Sequence, residues 1–156
     1  MTFFIVRGEM DEMRYIEKAL ISIGKEDMLT SLEEITASCF ELMQPTLLEY
    51  VPNEKLKIKF PVLDMYLNLV KSMQGGFISA AFDNAFGMLC LLSTENKAVS
   101  LDLNTNYHKP IYENDQLVIS VYLKHKGNTL INMYAEAFNS NDELVATADS
   151  KMMFIR

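Results

Sequence analysis

Histidine, cysteine, tryptophan and proline are scarce in this 156-residue chain, at two, two, none and four. Each shortage excludes something. His108 and His125 fall at or near strand ends among lysines, where structural or surface roles suffice, and the chain contains neither a G-x-S-x-G elbow nor an H-E-x-x-H pair. Ser-His-Asp catalysis and a zinc site are therefore not expected. Cys39 and Cys90 have no partner at metal-ligand spacing and lie in apolar sequence. They read as reduced core thiols of a cytoplasmic protein. With only 6 Gly and 4 Pro, low complexity and disorder are ruled out. Cations are also in short supply. Fourteen Lys+Arg against 21 Asp+Glu leave a net charge of −7, which argues against sequence-nonspecific nucleic-acid binding. The longest apolar stretch, Phe77 to Leu92, is shorter than a bilayer span and carries Asp83 and Asn84, so no membrane crossing is predicted. The opening run, Met1 to Arg7, is too short for a secretory signal.

What is present is a hydrophobic content of 49%, enough to fill one core. Residues 1–44 read as a helical extension. Met13, Ile16, Leu20 and Ile23 recur on one helix face, with Gly24 as the stop. Ser31 to Glu34 has the form of a capping box for a second helix with Ile35, Cys39 and Leu42 on its apolar face, ended by Pro45. From Thr46 the period changes to two. Thr46–Val51 and Lys55–Val62 form a predicted hairpin in which Leu56, Ile58 and Phe60 alternate with Lys55, Lys57 and Lys59. One long helix follows, from Gly76 to about Leu92. Four strands come after it. In the first, Val99, Leu101, Leu103 and Thr105 alternate with Ser100, Asp102, Asn104 and Asn106. The others are expected around 117–124, 129–138 and 143–155.

The long helix is apolar nearly all round, so it must be buried on nearly all sides. An antiparallel sheet of two strands from before it and four from after it could wrap it, giving an α+β class. One flank would stay bare, which argues for a second subunit. Asp83 stands out in this helix. A buried carboxylate costs several kcal/mol unless paired or hydrogen-bonded, and no Lys or Arg lies between Lys71 and Lys97. Either Asp83 and Asn84 mark a narrow wet stripe, or Asp83 is a base or nucleophile at a site. Gly75-Gly76 opens the helix at its positive end, where unpaired N–H groups could polarise a carbonyl; an ordinary turn would look the same. Eight residues of helix span about 12 Å. Asp83 cannot act on a carbonyl held by its own Gly75, because reacting atoms approach to roughly 3–3.5 Å. A shared reaction would require Gly75 of a second copy.

The segment Asn68-Leu-Val-Lys-Ser-Met-Gln-Gly-Gly-Phe-Ile-Ser-Ala-Ala-Phe-Asp83 resembles the motif of the PaaI-type acyl-CoA thioesterases, which have the hotdog fold. The likeness continues through Val99–Asn104, Tyr107-x-x-Pro110 and Lys126–Thr129, and spans residues 45–156. It implies hydrolysis of an acyl-CoA to acid and CoA in the cytoplasm, by a homodimer or homotetramer, with no metal or separate cofactor. It further implies Asp83 as base or nucleophile, Gly75 as donor to the thioester oxygen and Asn68 as a positioner of water or carbonyl. Ser100 would hold water or substrate near Asp83. Gly76, Gly127, Asn128 and Thr129 would line the substrate, and Lys124 and Lys126 would meet its phosphates. Gln74 stands where the family usually has histidine, so no proton is taken up there near neutral pH. The alternative that Gln74 supports is a noncatalytic acyl-CoA or fatty-acyl binding module on the same fold.

Overall fold

The structure, a computed structural model, describes residues 13–32 and 38–155. Four short N-terminal pieces come first: α1 (Tyr15–Ser22), a 3-10 turn (Glu26–Met28), α2 (Leu29–Leu32) and α3 (Ser38–Leu42). A hairpin of β1 (Thr46–Val51) and β2 (Lys55–Pro61) leads through a loop into α4 (Gly75–Thr94). Then β3 (Ala98–Tyr107), β4 (Gln116–Lys126), β5 (Leu130–Phe138) and β6 (Leu144–Phe154) complete the chain. All six strands form one antiparallel sheet in the order β1-β2-β4-β5-β6-β3, curved around α4. This is the hotdog arrangement.

Alternation sets which face meets the helix. Leu56, Ile58 and Phe60 of β2 and Leu117, Ile119 and Val121 of β4 are fully buried, while the intervening lysines face out. From the helix, Ala81, Phe82, Ala85, Phe86 and Leu89 are equally enclosed. By length and composition alone α4 could cross a membrane; here half of it is buried, the face carrying those residues being covered by the sheet. It runs two residues past the predicted end. No glycine stops it; Glu95 closes it in the left-handed region at φ 56°, its N–H donating to Leu91 O over 2.8 Å.

The N-terminal helices pack against the hairpin and α4. Glu41 of α3 accepts from the amides of Tyr15 and Ile16 at 2.7 and 2.8 Å, capping α1 and tying the two helices together. Gly24 ends α1 with φ 71° as predicted. The second helix is corrected. Helical structure there begins at Leu29, ahead of Ser31, while Glu34 and Ile35 lie outside the described residues. The inward face of α3 is Phe40 and Met43, so Leu42 (54% exposed) and Cys39 point out. Only Cys90 is a core thiol. Both helix faces offered apolar side chains three apart, and the one with Phe40 and Met43 became the buried one, Cys39 staying exposed at the rim.

The other correction is in β3. The predicted strict alternation puts Ser100 opposite to Leu103 and Thr105. A bulge between Ser100 and Asp102 leaves Leu101 without a partner across the ladder. Ser100 pairs with buried Met152, Leu103 with Ser150, Thr105 with Ala148 and Tyr107 with Ala146. The extra residue thus puts Ser100, Leu103, Thr105 and Tyr107 on the side that faces α4.

Candidate active site

Asp83 sits midway along α4, half-buried, on the flank next to β3. Ser100 Oγ donates to Asp83 Oδ1 over 2.6 Å. The described ion pairs are Arg14–Glu17, Lys55–Glu49, Lys109–Glu143 and Lys151–Asp102, and none involves Asp83. Its carboxylate therefore keeps one oxygen without a protein donor among the described residues. Asn84, next along the helix, points to α3, with Nδ2 at 3.3 Å from Met43 Sδ and 3.6 Å from Cys39 Sγ.

The other group lies at the start of α4. Gln74 is the N-cap residue, in extended conformation, and makes no side-chain cap bond. Its carbonyl accepts from Phe77 and Ile78 N–H at 2.9 and 3.2 Å. The amides of Gly75 and Gly76, the first two of the helix, are left at its positive end without intrahelical acceptors. A side chain at either position would press on a neighbour, the flexible end of Gln74 at Gly76 and the Tyr107 ring at Gly75. A Cβ on Gly76 would lie 2.8 Å from Gln74 Oε1, and one on Gly75 would lie 3.0 Å from the ring of Tyr107. Gly75, Ile78, Tyr107 and His108 line a cleft of about 370 Å³ at this end.

The remaining predicted residues fall in two places. Asn68 organises the loop before α4: Oδ1 accepts from Val70 and Ser72 N–H at 3.0 and 3.1 Å, and Nδ2 donates to Ser72 Oγ at 2.9 Å. Gly127, Asn128 and Thr129 form the β4–β5 turn, with Asn128 and Thr129 exposed. Gly127 N–H donates to Leu130 O, and Thr129 O accepts from Phe154 N–H. Lys126 Nζ is tied to Asn53 Oδ1 and to Ser93 O at the end of α4, and Lys124 lies over the Tyr134 ring. The chain thus brings Asp83 and Ser100 together, and Gln74, Gly75 and Gly76 together, as two separate half-sites. His108 is exposed, with Nε2 at 3.0 Å from Thr147 Oγ1.

The family model for the Thioesterase superfamily matches residues 71–146, which begin just ahead of α4 and end within β6. That match takes in the whole of α4, with Gly75 and Asp83. Among solved structures, this chain is similar to the Escherichia coli PaaI protein of the phenylacetic acid degradation operon, at 17% identity and TM-score 0.74, covering 89% of this chain and 96% of that one. It is similar to a Streptococcus mutans protein bound to acetyl CoA, at 25% identity and TM-score 0.70, covering 80% and 95%. A zebra fish thioesterase superfamily member 2 matches at 18% and 0.70, covering 86% and 97%. A search of curated proteins finds no match.

Sequence reasoning gave no role to Ser79, Thr105 or Tyr107, which surround the glycine end of α4. Ser79 Oγ lies 3.0 Å from Thr105 Oγ1 and 2.7 Å from Tyr107 Oη. Tyr107 Oη donates to Gly75 O at 2.8 Å. The available signal was Ser79, one helical turn beyond Gly75.

Proposed function

We propose that this chain hydrolyses an acyl-CoA thioester to the free acid and CoA, as a homodimer whose α4 helices lie antiparallel. Asp83 takes a proton from water as the water oxygen bonds to the thioester carbonyl carbon. Ser100 occupies one carboxylate oxygen and leaves the other for that water. Gly75 N–H of the second copy holds the oxyanion that forms, with Gly76 beside it. The carbonyl then re-forms, the carbon–sulfur bond breaks, and the proton goes to the departing sulfur. Asn68 shapes the loop that delivers Gln74 and the glycines, and the Gly127–Thr129 turn faces the CoA portion.

The observation that carries this reading is the acid at mid-helix with a serine donor and, among the described residues, no cation paired to it. The second copy follows from the helix rise: about 12 Å separates residues eight apart. The exposed edge strand β3, with Val99 and Leu101 at 44% and 53%, suits a partner's edge.

The test is thiol release from short, medium, long and aromatic acyl-CoAs. Asp83→Asn should lower turnover about 10²–10⁴-fold, the usual worth of a general base, while substrate binding survives. A second reading, a noncatalytic acyl-CoA binding module, is favoured by Gln74, a side chain that cannot titrate. Tight binding with no turnover of any thioester would replace the first reading with the second.

A further inference from the structure

The amide that polarises a carbonyl works only if its peptide plane is held still, and the first turn of a helix that starts Gly-Gly is poorly held by its own side chains. Tyr107 supplies what is missing. Its hydroxyl donates to Gly75 O at 2.8 Å, on the peptide whose nitrogen is Gly76 N. Its ring fills the space that a Gly75 side chain would take. The hydroxyl is backed at 2.7 Å by Ser79 Oγ, itself 3.0 Å from Thr105 Oγ1. Gly75 O also receives the helical bond due to a first-turn carbonyl, so it accepts two donors, as Gln74 O does from Phe77 and Ile78. Both free amides of the helix start therefore have doubly bonded carbonyl partners, an arrangement that polarises the N–H on the other side of each peptide.

We infer that Tyr107 is a positioning residue for thioester hydrolysis, fixing and polarising through the Gly75 carbonyl the Gly76 N–H that stands beside the Gly75 donor at the oxyanion, with Ser79 and Thr105 holding the hydroxyl in place. This rests on the hydrolase reading above. The β3 bulge is an independent support. In an unbulged strand, Ser100 and Tyr107 would face opposite sides, whereas here one face of β3 sends Ser100 to Asp83 and Tyr107 to Gly75. One strand thus braces both half-sites.

The experiment is Tyr107→Phe, which keeps the ring over Gly75 and removes only the hydroxyl. Steady-state kinetics, thermal denaturation and amide exchange are measured on wild type and variant. The expected result is a kcat lower by about tenfold, a KM within about twofold, a Tm shift too small to populate unfolded chain at the assay temperature, and faster exchange of amides 75–79. Ser79→Ala should give a smaller fall in kcat of the same kind. Unchanged kcat, or a loss confined to KM, would overturn the proposal even with wild-type turnover intact. If wild type hydrolyses nothing, the reaction reading fails separately and exchange decides: faster exchange in Tyr107→Phe upholds the clamp, and unchanged exchange overturns it.

Discussion

Ser100 reaches Asp83 because Leu101 is an extra residue in β3: the Oγ–Oδ1 distance is 2.6 Å, and the register shift lies immediately after the serine. Deleting Leu101 would restore plain alternation and turn Ser100 to the outer face. Thioester turnover should then fall by about tenfold or more, roughly 1.4 kcal/mol of barrier, with the circular-dichroism spectrum of the fold retained. Full activity in the deletion variant would show that Ser100 does not serve Asp83.

The two half-sites predict complementation between inactive chains. Gly75→Pro removes the N–H at the first helical position, where the backbone suits proline, Gln74 already being extended as a residue before proline must be, and the proline ring displaces Tyr107, so the whole glycine half-site is lost. Gly75→Pro and Asp83→Asn should each be nearly inactive. Refolded together one to one, they should recover about a quarter of wild-type turnover, because half the dimers carry one intact site of two. No recovery above the separate variants would break the shared-site reading.

Gln74 bears on pH dependence. Lacking a titratable group there, the chain should show no inflection in kcat near pH 6.5, the ordinary histidine value. Gln74→His should introduce one and leave turnover equal or higher. A loss of more than about tenfold on this change would give Gln74 a role of its own.

Acid stability follows from three carboxylates. Asp102 is held below the usual range by the hydrogen bond from Lys151, and Glu143 by that from Lys109. For Asp115 burial pushes upward, but hydrogen bonds from Ser140 and the Gln116 amide outweigh it and the net direction is down. Each binds its proton less tightly folded than unfolded. Their contribution is complete above the unfolded carboxylate value of about 4 and is lost as pH falls through the lower folded values. The Tm should therefore drop below about pH 4. Asp102→Asn should flatten that drop, and an unchanged pH slope would remove Asp102 from the account.

The wrapped helix sets the core energetics. Phe86 is fully buried and packs along the helix against Phe82, ring centroids 6.3 Å apart. Phe86→Ala should cost about 3–5 kcal/mol in urea denaturation; a cost under about 1 kcal/mol would mean that the site collapses freely.

The fold was readable because its strongest elements announce themselves locally. The lysines of β2 alternate with Leu56, Ile58 and Phe60, and α4 has almost no polar face, so period and burial agree without tertiary information. Asp83 stood out for the same reason, as an acid in an apolar helix, and the structure sets it half-buried beside Ser100. Three features were hidden. Leu101 is as apolar as its neighbours, and a bulge is decided by the partner strand rather than by the strand itself. Phe40 and Met43 compete with Cys39 and Leu42 on equal local terms, and only tertiary packing decides between them. Tyr107 and Gly75 are 32 residues apart, joined by the curl of the sheet.

The sheath around α4 is made mostly after the helix it covers. Four of the six strands come later, and the 60 residues from Glu95 to Phe154 must still be synthesised when Thr94 has been added. At ribosomal rates of about 5–20 residues per second, that leaves a greasy 20-residue helix without its cover for roughly 3–12 s. Every nascent chain thus passes through an interval in which holdase chaperones and bilayers compete for a segment that the finished molecule keeps from both.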